Sequence, residues 1–346
     1  MSVQTSEPPD AACDDFAGRL LDWYDRSARA LPWRVPPGSG RVPDPYRVWM
    51  AEVMLQQTTV AAVASYYERF TARWPTVADL AAADDADVMA AWAGLGYYAR
   101  ARNLLACARA VVRDHGGGFP DSEAGLRSLP GVGDYTAAAV AAIAFGRPAV
   151  VVDANIERVI ARHRLIETPL PAAKRAFKAE LAPLVPADRP GDFAQALMDL
   201  GAGVCTPRAP ACDRCPVGAD CRARGRADIE RLPVKPAKKA KPQRYGIAHW
   251  IERDDRLWLV RRPEKGMLGG MRALPGGEWA AMPPAESGIA EVDHGFTHFD
   301  LRLTLVRREA PLAAAEGEWW PLATLDAAGL PTLYRKLVDK MRERKE

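Results

Sequence analysis

The sequence lacks any apolar run long enough to cross a bilayer. Its most apolar stretch, Ala137 to Phe145, ends at Gly146-Arg-Pro148, well short of the roughly 20 residues that a membrane helix needs. Residues 1–15 are polar and acidic without an apolar core, so we expect a flexible tail over 1–14 and no secretion signal. The net charge of +3 permits an anionic partner without requiring one. We therefore expect a cytoplasmic protein that has no membrane partner.

The chain also lacks the period-two alternation of β-strands before residue 244. Its 346 residues exceed the usual size of one core, so two domains are expected. A first helix is predicted from aromatic and apolar residues at helical spacing: Phe16, Leu20, Trp23 and Tyr24. A second helix should start at the cap Asp44-Pro45. Further helices are expected at about 59–72, 76–82, 85–93 and 98–114, and from Asp153 to about 200 with a proline-rich break at 183–190. The first domain, 15–230, is therefore predicted to be all-α.

The stretch Leu129-Pro-Gly-Val-Gly-Asp-Tyr-Thr136 contains a tight glycine turn that opens a helix. Backbone N–H groups of Gly131, Val132 and Gly133 and of the first helical residues can then face one anion. This pattern predicts a hairpin that binds a phosphate. The alternative is that the two glycines only shape a turn between helices.

Asp153 follows an apolar run and begins the next amphipathic helix, in Val150-Val-Val-Asp-Ala-Asn155. Its carboxylate could serve only as an N-cap. A helix N-terminus also lowers a carboxylate's pKa and keeps the group anionic at neutral pH. Asp153 is therefore a candidate for stabilising a developing cation.

Glu52 lies in a predicted helix among apolar neighbours: Trp49, Met50, Val53, Met54 and Leu55. Desolvation by such neighbours raises a carboxyl pKa toward the range in which the group can donate a proton. The alternative is an ordinary glutamate on a solvated surface. Gln56 and Gln57 lie a turn further on, where their amides could reach base edges or face water.

The segment Gly94-Leu-Gly-Tyr-Tyr98 places two aromatic residues at a glycine-rich corner between helices. Aromatic rings at such a corner could insert into a base stack. They could equally fill the protein core.

Four cysteines, Cys205, Cys212, Cys215 and Cys221, are spaced as C-x6-C-x2-C-x5-C. Four thiolates suit either tetrahedral zinc or a 4Fe-4S cluster, and crowding in a reducing compartment argues against disulfides. Five arginines in the same region add positive charge toward a phosphate backbone: Arg208, Arg214, Arg222, Arg224 and Arg226. Cys13 and Cys107 are expected to play no part in the site.

Residues 231–244 contain six basic residues, three prolines and no acid, which predicts an extended linker whose charge favours lying along DNA. From Tyr245 the pattern has period two, with Ile247, His249 and Ile251 and then Leu257, Leu259 and Val260 across an Asp254-Asp255 turn. Leu301, Leu303 and Leu305 alternate likewise, and a closing helix is expected over 332–344. The second domain, 245–346, is therefore predicted to be α+β.

Taken together, these motifs resemble the endonuclease III superfamily of DNA glycosylases and, within it, the MutY family of adenine glycosylases. The resemblance rests on Glu52-Val-Met-Leu-Gln-Gln-Thr58, Gly94-Leu-Gly-Tyr-Tyr-Ala-Arg100, Leu129-Pro-Gly-Val-Gly133, Val152-Asp-Ala-Asn155 and the four cysteines. The second domain resembles the family's Nudix-like domain more loosely, at Gly266-Met-Leu-Gly-Gly-Met-Arg-Ala-Leu-Pro275 and Phe296-Thr-His-Phe299. The implied fold is an all-α helix-hairpin-helix glycosylase domain with an iron-sulfur loop at 205–221, followed by an α+β Nudix-like domain.

The resemblance also implies an activity, namely removal of adenine mispaired with 8-oxoguanine or guanine in double-stranded DNA. By this resemblance Glu52 protonates the adenine ring, Asp153 stabilises the oxocarbenium ion, and Tyr135 and Asn155 line the same site. Tyr97 is the wedge beside the oxidised base, with Gln56 and Gln57 near the opened stack. The four cysteines hold a 4Fe-4S cluster, and we expect a monomer associated with the nucleoid.

Two departures from related enzymes refine this expectation. Position 135 holds tyrosine where bifunctional relatives have the lysine that attacks the sugar, which predicts a monofunctional glycosylase. Residues 276–292 lack the glutamate-rich R-E-x-x-E-E helix of Nudix hydrolases, so recognition is expected instead of pyrophosphate hydrolysis. Thr297 and His298 are the candidates for contacting the oxidised guanine, although His298 could be an ordinary turn histidine. The competing functions are a thymine or uracil mismatch glycosylase of the same superfamily and a non-catalytic iron-sulfur DNA-binding protein.

Overall fold

The computed structural model describes residues 16–236, 240–263, 266–311 and 316–344. The predicted tail over 1–14, Cys13, and the linker residues Lys238 and Lys239 lie outside these ranges. The described residues divide into two compact units. The helical unit falls within Met1–Asp79 and Cys107–Ala237, and the mixed unit falls within Leu80–Ala106 and Lys238–Glu346.

The α-helices are α1 (Phe16–Ser27), α2 (Pro45–Leu55), α3 (Val60–Arg73), α4 (Val77–Ala81), α5 (Asp85–Trp92), α6 (Ala99–His115), α7 (Glu123–Arg127), α8 (Asp134–Phe145), α9 (Ala154–His163), α10 (Lys174–Leu181), α11 (Pro190–Gly203) and α12 (Thr332–Glu343). Residues 16–236 are described throughout and contain no strand. The prediction of an all-α first part is therefore confirmed.

Several helices begin or end at the capping residues that the sequence indicates. Asp44 caps α2 by accepting a hydrogen bond from the Tyr46 backbone N–H at 2.9 Å, with Pro45 in the first turn. Gly146 ends α8 in the left-handed conformation, with φ of 61°. In α6, Leu104 is 1% exposed and belongs to the core, whereas Val112 is 37% exposed. Within the described ranges, every helix is too short or too polar to span a lipid bilayer.

Helix α8 forms the centre of the helical unit, because nearly all of its side chains are buried. Helices α2, α7 and α11 pack against it, and α11 also contacts α1 and α9. Gly201 of α11 makes the last contact possible: a Cβ there would lie 2.6 Å from Asn155 Cβ. The small residue therefore lets α11 support the first turn of α9, where Asp153 lies.

The mixed unit contains two sheets. One has the order β1 (Gln243–Trp250), β6 (Asp300–Arg307), β5 (Ala290–Gly295), with β1 parallel and β5 antiparallel to β6. The other joins β2 (Glu252–Arg253), β3 (Arg256–Arg261) and β4 (Arg272–Ala273), and β7 (Gly317–Pro321) also pairs with β3. Helix α12 packs against β5. The α+β prediction for the C-terminal part is confirmed, including the Asp254-Asp255 turn between β2 and β3.

Residues 80–106 group with the C-terminal part, although they were predicted to belong to the glycosylase domain. Their contacts explain this grouping. Arg102 Nη1 donates to the Gly269 carbonyl at 2.7 Å, and the Tyr97 and Thr297 hydroxyls lie 3.4 Å apart. The predicted domain bounds, with a linker at 231–244, remain a prediction.

Candidate active site

One cavity of about 810 Å³ in the helical unit is lined by most of the residues predicted to act there. Its volume lies in the range of small-molecule and nucleotide pockets. The predicted residues on its wall are Glu52, Gln56, Gln57, Gly131, Gly133, Tyr135, Asp153 and Asn155. The structure therefore brings the end of α2, the glycine hairpin and the start of α9 to one place.

Glu52 is 5% exposed on α2, and its carboxylate Oε2 accepts a hydrogen bond from the Tyr135 hydroxyl at 2.6 Å. Burial raises the pKa of Glu52 from 4.5 to about 7; the hydrogen bond from Tyr135 opposes this shift, and the charge of Asp153 adds to it. The prediction of a desolvated carboxyl with a raised pKa is confirmed. Such a group can hold a proton at neutral pH and donate it to a base.

Asp153 caps α9 by accepting a hydrogen bond from the Ile156 backbone N–H at 2.7 Å. Its second oxygen accepts from the Asn155 amide at 3.0 Å. Burial nevertheless raises the pKa of Asp153, against the effects of these donors and of Arg158. The expectation of a lowered pKa is therefore wrong in direction, because desolvation by the surrounding fold outweighs the helix N-terminus.

Arg158 is a buried residue behind the cavity wall, in contact with Asn155, and it was not predicted from the sequence. Its guanidinium donates to Asn155 Oδ1 at 3.0 Å and to the Gly201 carbonyl at 2.6 Å. It also donates to the Cys205 carbonyl at 2.7 Å. Arg158 thus fixes the amide that faces Asp153 and joins it to the start of the cysteine loop. Its position three residues after Asn155, on the buried face of α9, was the available signal.

Arg34 and Gln195 also line the cavity and were not predicted as site residues. Arg34 Nη1 donates to Asp199 Oδ2 at 2.6 Å, and Asp199 also pairs with Arg29 at 2.5 Å. This buried carboxylate holds the Arg34 guanidinium in place. Gln195 is 6% exposed, so the part of the wall that it forms is shielded from bulk solvent.

The glycine hairpin joins α7 to α8. Gly131 adopts a left-handed conformation with φ of 73°, and Gly133 begins α8 without a side-chain cap. The N–H groups of the first turn are therefore open to an external acceptor. Val132 is 7% exposed and anchors the turn in the core. Gln56 donates to Thr136 Oγ1 at 3.1 Å, whereas Gln57 is exposed.

The two tyrosines of the glycine corner differ in exposure: one fills the protein core, and the other leaves its ring available for insertion into a base stack. Tyr98 is 5% exposed and belongs to the core, whereas Tyr97 is 50% exposed. Both candidate recognition residues, Thr297 and His298, are exposed in the turn before β6. Phe296 and Phe299 close that turn with a 2.9 Å backbone hydrogen bond.

The four cysteines surround one small cavity in the helical unit. Arg162, 1% exposed, directs its guanidinium at Cys205 Sγ at 3.4 Å. A Cβ at Gly218 would lie 3.2 Å from the Cys212 and Cys215 carbonyls, so the loop wraps tightly around this space. Among the described residues, no three His, Cys, Asp or Glu side chains are arranged to hold a single metal ion.

Comparison with known proteins agrees with this geometry. Residues 50–186 match the family model of the HhH-GPD superfamily of base excision DNA repair proteins, and residues 246–340 match a NUDIX domain. A solved thymine-DNA glycosylase structure is 31% identical with a TM-score of 0.55, covering 62% of this chain and 98% of that one. An endonuclease III–DNA complex, at 24% identity and a TM-score of 0.50, shows the same fold.

Among named relatives, human adenine DNA glycosylase is 46% identical over 314 residues, covering 76% of this chain and 58% of the human protein. The mouse adenine DNA glycosylase is 34% identical, covering 93% of this chain and 77% of the mouse protein. The chain spans about half the length of several relatives that it matches. With this coverage of the mouse protein and both domain matches, the chain belongs to the adenine DNA glycosylase family of helix-hairpin-helix base excision repair proteins.

Proposed function

We propose that this protein is a monofunctional glycosylase that removes adenine mispaired with 8-oxoguanine or guanine in double-stranded DNA. The observation that carries the proposal is the pair of carboxyl groups, Glu52 and Asp153, on the wall of one cavity with different partners. Glu52 has a neutral phenol beside it, whereas Asp153 has a backbone N–H, an amide and a nearby guanidinium. Two carboxyl groups in unlike surroundings can divide the work of one reaction: one stays protonated and acts as the general acid, and the other stays ionised.

The chemistry follows from these two roles. With the nucleotide flipped out of the duplex, protonated Glu52 donates its proton to a ring nitrogen of adenine, and the bond between the base and the sugar breaks. Ionised Asp153 stabilises the positive charge that develops on the sugar. Water then adds to the sugar, and its proton returns to Glu52. Tyr135 holds the Glu52 carboxyl in place, and Asn155 does the same for Asp153.

Base selection fits the polar groups on the cavity wall. An amide can pair with adenine through one donor and one acceptor, which is the pattern that the edge of adenine offers. Gln195 supplies such an amide, and Arg34 adds a donor held by Asp199. A thymine ring lacks the basic nitrogen that a proton from Glu52 would reach.

We assign the remaining predicted residues to DNA binding. Gly131, Val132 and Gly133 shape a turn whose N–H groups can bind a phosphate. Tyr97 supplies an exposed ring for insertion into the base stack, with Gln56 and Gln57 near the gap. Thr297 and His298 would contact the oxidised guanine. We propose that the protein acts as a monomer, on DNA in the nucleoid.

The decisive experiment compares two duplexes, one with adenine opposite 8-oxoguanine and one with thymine opposite guanine. We expect release of adenine and no release of thymine. The solved thymine-DNA glycosylase of similar fold makes thymine the rival substrate. Release of thymine as the main product would contradict the proposal.

The product of adenine release is expected to be an abasic site in an intact strand. Tyr135 occupies the position from which a lysine would form an imine with the sugar, and a phenol cannot form one. Gel electrophoresis after the reaction should show strand cleavage only after alkali treatment. Efficient borohydride trapping of a protein–DNA adduct through a lysine would contradict this expectation.

We further propose that Cys205, Cys212, Cys215 and Cys221 hold a 4Fe-4S cluster. Their common cavity, the tight turn at Gly218 and the guanidinium directed at Cys205 Sγ fit thiolate ligands around one group. When bound, such a cluster supplies iron–thiolate bonds that tie the loop together. Zinc held by the same four thiolates is the alternative.

Purified protein is expected to be coloured and to contain iron, with a broad absorbance in the visible range. Metal analysis should find about four irons per chain and little zinc. Cys212→Ser is expected to reduce the iron content strongly, whereas Cys107→Ser, at a buried cysteine outside the loop, should leave it unchanged. A colourless preparation with one zinc per chain would contradict the iron assignment.

A further inference from the structure

A hydrogen bond to the carbonyl of the buried residue Gly269 ties the segment that carries Tyr97 to the C-terminal part of the mixed unit. Arg102, in the first turns of α6, donates through Nη1 to the carbonyl of Gly269 at 2.7 Å. Gly269 is buried and Arg102 is half-buried. A hydrogen bond from a charged donor is stronger than one between two neutral groups. Removing the guanidinium would therefore cost a buried carbonyl a strong hydrogen bond.

Tyr97 lies just before α6, the helix that contains Arg102, and is hydrogen-bonded to its first turn. Its carbonyl accepts from the Arg100 backbone N–H at 2.8 Å, and the Arg100 guanidinium donates to the Leu95 carbonyl at 3.0 Å. Arg100 also lies over the Trp92 ring, 5.2 Å from its centre. The exposed ring of Tyr97 therefore moves with the start of α6.

The other end of the Arg102 contact is a tightly wound loop, residues 266–271. Gly266, Leu268 and Gly270 all have positive φ, and Leu268 adopts 57° without being glycine. Backbone hydrogen bonds from Gly270 to the Arg262 carbonyl and from Met271 to the Leu268 carbonyl close the loop. Gly269 therefore lies within a loop that backbone hydrogen bonds close on both sides of it.

A continuous set of contacts leads from this loop to the turn that contains Thr297. Arg262 Nε donates to the Met267 carbonyl at 3.0 Å, and its guanidinium lies over the Trp279 ring at 4.9 Å. Trp279 stacks on Phe296 with ring centres 5.2 Å apart. Phe296 immediately precedes Thr297, whose hydroxyl lies 3.4 Å from that of Tyr97. Tyr97 and Thr297 are therefore connected twice, directly and through Arg102.

We propose that Arg102 is a positioning residue that sets the spacing between Tyr97 and the Thr297–His298 turn, and so sets discrimination for the base opposite the excised adenine. The inference rests on the proposed function. Arg102 touches no substrate in this scheme; it acts through the 266–271 loop. Its loss should reduce the preference for 8-oxoguanine over guanine while leaving the basal release of adenine opposite guanine nearly unchanged.

The test measures single-turnover adenine release opposite 8-oxoguanine and opposite guanine for wild type, Arg102→Gln, Arg102→Lys and Arg113→Gln. Arg102→Gln should lower the ratio of the two rates by about tenfold, and Arg102→Lys, which keeps a charged donor, should restore part of it. Arg113, on the same helix and paired with Asp114 at the surface, is the matched control. In a protein that already carries Thr297→Ala, Arg102→Gln should lower the ratio of the two rates by less than it does in the wild type. The reason is that both substitutions disturb the same arrangement of Tyr97 and Thr297.

A second readout needs no substrate. Hydrogen exchange of the 266–271 peptide should rise by about tenfold in Arg102→Gln and stay unchanged in Arg113→Gln. An unchanged exchange rate, an unchanged ratio, or an equal fall of both release rates would overturn the role of Arg102. A wild-type protein that releases no adenine from either duplex would instead defeat the proposed function and this inference with it.

Discussion

Asp153→Asn is expected to reduce adenine release by about 1,000-fold, because it removes the charge that stabilises the developing cation on the sugar. Asparagine caps helices as well as aspartate does, so the bond from the Ile156 N–H and the start of α9 should survive. The variant therefore separates charge from structure. Single-turnover release of adenine and the affinity for mispaired DNA should be measured together, and we expect the affinity to be retained or slightly increased.

Asp44→Asn is the matched control for this substitution. Asp44 caps α2 through the Tyr46 N–H at 2.9 Å, and it is absent from the lining of the cavity. We expect wild-type rates from it. An Asp153→Asn protein that kept more than about a tenth of the wild-type rate would argue against an electrostatic role of this size. A non-catalytic DNA-binding protein would show no difference between the two variants.

The parts of the site that could be predicted are those that one stretch of chain determines. The cap at Asp153, the turn at Gly131 and the helix around Glu52 each depend on residues within a few positions of one another. Tyr135 and Asn155 came from the family resemblance, and the structure places them in contact with Glu52 and Asp153. Their roles in catalysis remain proposals.

The residues that were missed have partners far away in the sequence. Arg158 bonds to Gly201 and Cys205, and Arg34 bonds to Asp199, 165 positions later. The local pattern places Arg158 one turn from Asn155, but it does not identify the distant partners of either arginine, because packing of separate helices brings those groups together. The predicted direction of the Asp153 pKa shift was wrong for the same reason. The helix cap that lowers the pKa is local, whereas the desolvation that raises it comes from the whole fold.

The strand patterns show the limits of periodicity. Alternation identified β6, whose Leu301, Leu303 and Leu305 are almost completely buried. In β1 the predicted face is incomplete, because Ile247 is only half-buried, whereas its neighbours Ala248 and Trp250 are buried with His249. β1 pairs with β6 along one edge and forms backbone bridges to residues 276 and 280 along the other, so it is an interior strand with neighbours on both edges.

Glu52→Gln is expected to stabilise the folded protein above neutral pH while it strongly reduces activity. The pKa of Glu52 rises from 4.5 to about 7 on folding, so the folded state keeps a proton that the unfolded chain releases between these pH values. The free energy of unfolding of the wild type therefore falls as pH rises through this window. At pH 8 the variant should be more stable by up to about 3 kcal/mol, and at pH 4 the two should be alike. Urea unfolding at both pH values measures the difference.

The loss of activity in Glu52→Gln has the same cause, since glutamine keeps an acceptor for the Tyr135 hydroxyl but has no proton to donate. General acid catalysis by one positioned group contributes about 100-fold to 10,000-fold, and we expect a loss in this range. The wild-type single-turnover rate should also fall as pH rises above about 7, where the Glu52 carboxyl loses its proton, and the residual rate of the variant should lack this fall. Glu68→Gln, at an exposed position on α3, serves as the control with wild-type rate and pH profile. A wild-type profile that is flat from pH 6 to pH 9, or a variant that keeps the wild-type slope, would show that the proton comes from another group.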